Sequence, residues 1–138
     1  MTKEERELLL IDLCARLPYG VICQFIWTYC NETTDGEDVI AKENDNIRNI
    51  DIHTKEIQAD YYGEWVDLEH CKPYLCPLSS MTEEEEYELD NIRLGNYGED
   101  VDWLNKNMFD YRIVPSTGKS MIESGLAIKA PEGMYVNI

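Results

Sequence analysis

The sequence predicts an α+β fold: an N-terminal helix, a small, strongly bent antiparallel sheet of SH3-like or partial-barrel form, and C-terminal helices packed against it. Three observations predict it. Residues 1–17 place apolar side chains at helical spacing behind a capping signal. Residues 20–76 change to a two-residue alternation broken by turn signals, and residues 82–138 return mainly to helical spacing before a last short strand. The chain has 138 residues and 43% hydrophobic content. That is expected to form a single domain, 1–138, with a core that needs no staples.

The first helix opens on Thr2 and Glu5, a hydroxyl at the cap and a carboxylate three residues on. Leu10, Leu13, Cys14 and Leu17 then recur on one face, and Pro18 and Gly20 end it. From Gly20 the alternation of Val21, Cys23, Phe25, Trp27 and Tyr29 reads as a strand. "NETTDGED" is a turn built on Asp35-Gly36, and "VIAKE" returns as the second strand of a hairpin. "NDN" at 44–46 reads as another turn, followed by short strands in "IRNIDIH" and "KEIQADYY". "GEWVDLEHCKPYL" gives a brief strand and a one-turn element. Thr82 and Glu85 form a second capping box before a helix that Gly95 stops. A further helix carries Val101, Leu104 and Met108 on one face. A short helix at about 117–124 and a strand in "LAIKA" complete the chain.

Charge narrows the function classes. Twenty-eight acids against twelve bases give a net charge of −16. Such a chain repels phosphate backbones and anionic lipid, so neither nucleic acid nor membrane is expected as a direct partner. No apolar run approaches the roughly 20 residues of a membrane span. The acids at 4, 5 and 7 do not fit a secretory signal, and a soluble cytoplasmic protein is expected. The five cysteines, Cys14, Cys23, Cys30, Cys71 and Cys76, are irregularly spaced and read as free thiols.

Several motifs imitate chemistry without completing it. "TGKS" at 117–120 ends like a phosphate-binding loop, but the first glycine of that motif would fall at Ile113, a β-branched residue that resists positive φ. Residues 31–42 imitate a calcium loop, yet Lys42 stands where the bidentate glutamate belongs. His70, Cys71 and Cys76 lack the paired spacing of zinc ligands. His70 and Cys71, adjacent on an extended segment, point apart. No cofactor and no catalytic or metal residue is therefore assigned. The competing reading is a small enzyme or metal protein using His53, His70 and the cysteines.

The leading expectation is a non-enzymatic interaction protein whose partner has a basic surface. Nine acids lie between Glu83 and Asp102 against one base, Arg93. The candidate face comprises Glu83, Glu84, Glu86, Glu88, Glu99, Asp100 and Asp102, joined by Tyr61, Tyr62 and Trp65 near a turn.

Four blocks, "LLLIDLCARLPYGV", "KPYLCPLSSMTEEE", "LNKNMFDYR" and "GLAIKAPEGMY", cover about half the chain. As a set they resemble a family of small uncharacterised proteins from Bacteroides-type gut bacteria and their phages and mobile elements. The chain departs from that pattern by extra residues around "IVPSTGKSM", the mark of a variable loop. The resemblance implies a phage or mobile-element setting and no mechanism; the narrower form of the charge-based expectation is an inhibitor that presents its acidic helices to a basic, nucleic-acid-binding host protein. The resemblance implies no catalytic residues.

Overall fold

A computed structural model describes residues 1–30, 38–95 and 98–135. The fold is mixed α and β, with an N-terminal helix, a multi-stranded sheet and C-terminal helices. The chain divides into two compact units, residues 1–73 and 74–138.

In the first unit, helix α1 spans Lys3–Arg16, and the Thr2 hydroxyl accepts the Glu5 amide at 3.1 Å. Its buried face is Leu9, Asp12, Leu13 and Arg16. The expected stripe of Leu10, Leu13, Cys14 and Leu17 is therefore rotated: Leu10 and Leu17 are half-buried and Cys14 is exposed. An ion pair causes the rotation. Arg16 Nε donates to both Asp12 oxygens, at 3.1 and 3.0 Å, with both side chains fully buried. Two charges four residues apart face each other on a helix and can enter the core together, which either alone could not.

Strands β1 (Ile22–Cys30) and β2 (Asp38–Asp51) form the predicted antiparallel hairpin, with Cys23 opposite Asp45, Phe25 opposite Glu43 and Trp27 opposite Ala41. The turn expected in "NETTDGED" falls on residues 31–37, outside the described residues. The expected turn at Asn44–Asn46 is absent; β2 runs straight through it. Residues 38–46 pair with β1, while 47–51 pair with β3 (Glu56–Ala59) across an irregularity between Ile47 and Asn49. The polar triplet marks a change of partner, and strand pairing overrides its turn preference. β4 (Trp65–Asp67) pairs with β3, a 3₁₀ turn covers Leu68–His70, and Cys71, Lys72 and Pro73 pair with β1.

Within this unit the strand order is β4-β3-β2-β1, with residues 71–73 on the far side of β1. The sheet stays open, so no barrel forms. Among the described residues its outer members, β4 and residues 71–73, do not pair with each other. Leu9, Leu13, Val21, Cys23, Phe25, Ile57, Ala59, Leu68 and Cys71 are buried. Burial, a hydrogen bond with Cys71 and the charges of Asp12 and Asp45 push the Cys23 thiol well above its ordinary pKa. Arg6 anchors α1, donating to Asp67 at 3.1 and 3.2 Å and pairing with Glu69 at 3.1 Å.

In the second unit, residues 74–77 of strand β5 (Cys71–Pro77) carry two parallel partners. Cys76 and Pro77 face β6 (Phe109–Asp110), while Tyr74 and Leu75 face β9 (Ile128–Lys129). Helix α2 (Glu83–Gly95) starts on the predicted reciprocal box: Thr82 N donates to Glu85 Oε1 at 3.0 Å, and Glu85 N to Thr82 Oγ1 at 3.2 Å. Helix α3 spans Glu99–Lys106. Leu89, Trp103, Leu104 and Phe109 make the core, with the rings of Trp103 and Phe109 stacked 5.7 Å apart. The expected face of α3 is corrected at two positions: Val101 is exposed while Trp103 takes the inward place, and Met108, though buried, lies beyond the helix in a turn at φ +59°. The larger ring buries more apolar area than a valine would.

Residues 117–124 do not form the expected helix. β7 (Ile113–Val114) and β8 (Lys119–Ser120) make a small hairpin closed by Gly118 at φ +70°, and further turns follow. The buried Asp110 carboxylate accepts the amides of Met121 and Ile122 at 3.3 and 2.9 Å, fixing those turns where a helix would need the same N–H groups. The false phosphate loop is this hairpin. The last predicted strand, in "LAIKA", is β9. No helix among the described residues is long and apolar enough to cross a membrane.

Candidate interaction faces

The residues of the expected face come from both units. Its acids lie on α2 and α3 of the second unit, and its aromatics lie in the first.

Helix α2 buries only Leu89. Glu83, Glu84, Glu86 and Glu88 are exposed and make no ion pair among the described residues. The first-turn acids sit where the helix dipole favours negative charge. Glu99 and Asp102 are exposed on α3, and Asp100 is half-buried and pairs with Arg93 at 3.6 Å. Two apolar side chains that sequence periodicity did not single out stand among these acids. Tyr87 is 71% and Leu94 86% exposed. Seven residues apart on a helix, they share one stripe. On the same helix Glu86, Leu89, Asp90 and Arg93 line a groove of about 350 Å³ with Leu78 and Met81. Acidic rim, apolar wall and protruding tyrosine together suit a partner that brings positive charge and an apolar anchor.

In the first unit, the turn between β3 and β4 presents Tyr61 and Tyr62. Tyr61 is 83% exposed, and its ring meets that of Tyr62 edge-on at 5.1 Å and 86°. Tyr62 in turn lies against Trp27 at 5.4 Å. The turn is held from β2. Asp45 Oδ2 accepts the amides of Tyr61 and Tyr62 at 2.8 and 3.2 Å, and the Asp60 amide donates to the Asn46 carbonyl at 2.9 Å. The Arg48 guanidinium donates to both the carboxylate and the backbone carbonyl of Asp60. Tyr62 donates its hydroxyl to Glu43 at 3.1 Å, and that bond raises the phenol's pKa. Trp65 is exposed on β4 and makes no ring contact with these tyrosines.

Trp27, Glu43 and Asp45 escaped the sequence reading. The one available signal was strand parity. Trp27 shares the face of Cys23 and Phe25, and the register sets Glu43 and Asp45 on that same face, since directly opposed residues point the same way.

Of the residues of the competing enzyme reading, Cys23 and Cys71 meet as buried thiols in the first unit. His53 is exposed in the β2–β3 turn, where its amide donates to Asp51. His70 is exposed while its neighbour Cys71 is buried. Cys14 is exposed, Cys23 buried and Cys76 half-buried, all as free thiols, and the side chain of Cys30 is outside the description. Among the described residues no three histidine, cysteine or acidic side chains converge as metal ligands would. No protein-family model, no curated protein and no solved structure matches the chain.

Proposed function

We propose that this protein is an acidic interaction module that docks α2 and α3 on a basic, nucleic-acid-binding surface of another protein, in a phage or mobile-element setting. The observation that carries the reading is the coincidence on α2 of uncompensated acids with Tyr87 and Leu94, 71% and 86% exposed. Charge alone would keep a helix soluble. Exposed apolar anchors beside that charge cost solubility and are the composition of an interface core within a charged rim. Repulsion of nucleic acid by a net charge of −16 turns the same feature toward the proteins that bind nucleic acid.

Capture of host proteins on immobilised chain, compared between low and high salt, tests this. Basic proteins should dominate the bound fraction at low salt. They should leave when Glu84, Glu86 and Glu88 are all reversed to lysine, and when Tyr87 and Leu94 are both replaced by alanine. Capture that ignores both sets of substitutions would overturn the reading.

A further inference from the structure

We propose that the aromatic turn of the first unit is a receptor for an arginine side chain, formed by Tyr61, Tyr62 and Trp27 with Glu43. It deepens the preceding reading by naming the side chain a basic partner inserts, and it rests on that reading only for the partner being basic.

The rings of Tyr61 and Tyr62 meet at 86°, a right-angled corner, and the 83% exposure of Tyr61 leaves that corner open to solvent. A cation within about 6 Å of a ring centre is attracted by the negative charge of the ring face. Glu43 sits at the tip of the Tyr62 ring, 3.1 Å from its hydroxyl. A cation on that ring thus has a carboxylate within reach of its N–H groups. A flat guanidinium meets both demands at once, stacking by its plane and donating by its edge, whereas an ammonium has no plane to stack.

Local charge agrees. Glu43, Asp45, Asp60 and Glu64 surround the corner in sequence or by hydrogen bond, and Arg48 is already committed to Asp60. The site is also pre-organised. Both tyrosine amides are tied to Asp45, so little ordering is left for binding to offset. The second unit makes the same contact internally, where the Arg112 guanidinium lies 5.0 Å from the ring centre of Tyr111.

The test is a nuclear magnetic resonance titration of the full chain with the blocked tripeptide Gly-Arg-Gly, beside its citrulline and lysine counterparts. The arginine peptide should shift the Tyr61 and Tyr62 amides and the Trp27 indole saturably, with a dissociation constant on the order of 1 mM. Tyr61→Ala, at a position too exposed to matter to the core, and Glu43→Gln should each weaken it about tenfold. Citrulline keeps the shape without the charge and should not bind. Equal binding of the citrulline or lysine peptide, or an affinity unchanged in Tyr61→Ala, would overturn the assignment. So would shifts confined to α2 and α3. The two readings separate cleanly. Arginine binding that survives in the Glu84→Lys, Glu86→Lys, Glu88→Lys chain supports the receptor even if partner capture fails. Capture that depends on α2, without any arginine shift at the turn, removes the receptor and leaves the helix reading standing.

Discussion

The first unit ties several of its charges into its own structure, whereas most acids of α2 in the second face outward. Asp12 and Arg16 neutralise each other at zero exposure, Arg6 clamps Asp67 and Glu69, and Asp45 carries the backbone of the aromatic turn. On α2, by contrast, Glu83, Glu84, Glu86 and Glu88 stand without a cation among the described residues. The same residue types thus do opposite work, and the difference is whether a partner lies within reach. An acid with a structural partner reports on the fold. An exposed acid without one, beside exposed apolar groups, is free to report on another molecule.

The comparison can be broken most forcefully at Arg16. Arg16→Ala removes one member of a buried ion pair and should cost about 3–5 kcal/mol in a denaturant melt. Replacing Asp12 by leucine and Arg16 by methionine together should recover most of that loss, because an apolar pair of similar volume carries no desolvation penalty. If the double variant is no better than the single one, the pair has a role beyond mutual neutralisation. Leu13→Ala, at zero exposure, should cost about 2–5 kcal/mol. A loss within experimental error would mean that α1 is not docked on the sheet.

A smaller effect is expected at Asp45. Asp45→Ala removes charge-assisted bonds to the Tyr61 and Tyr62 amides and should cost about 1–3 kcal/mol. It should also abolish the ring contact between Tyr62 and Trp27, readable from aromatic proton shifts. Shifts that stay in place would show that ring packing alone holds the turn.

The Arg6 clamp is smaller still and carries a pH signature. Hydrogen bonds from Arg6 hold the Asp67 carboxyl below its usual range. Its folded pKa therefore lies below the unfolded value of about 3.9. The stabilisation is complete above that value and fades as pH falls through the folded pKa. Arg6→Ala should then cost about 0.2–1 kcal/mol near neutrality and progressively less in acid. A cost that does not change with pH would assign it to packing of the arginine stem.

Local signals were legible in the sequence, and long-range ones were not. The capping residues at Thr2–Glu5 and Thr82–Glu85 lie three positions apart; the hydroxyl cap forms at both, and the reciprocal carboxylate bond is seen at Thr82–Glu85. The turn reading at Asn44–Asn46 failed because the pairing of β2 with β1 decides that segment. The stripe on α1 turned because Asp12 and Arg16 count as polar singly and as core together. Tyr61 and Tyr62 were visible as turn aromatics. Their carboxylate partners, 16 to 19 residues away, follow from strand register, which no local window contains. The acids of α2 were legible as composition, while the exposure of Tyr87 and Leu94 depends on which face the core takes.

The reversal of Glu84, Glu86 and Glu88 to lysine should change fold stability least, by about 1 kcal/mol or less, through lost dipole interactions and altered exposed charge. It therefore tests the central claim most directly, by partner capture at low and high salt on a chain whose fold stability is little altered. The account predicts that the wild type retains a basic partner at low salt and releases it at high salt, where exposed charges are screened, and that the reversed chain retains none at either. Equal capture by both chains at both salt concentrations would contradict it.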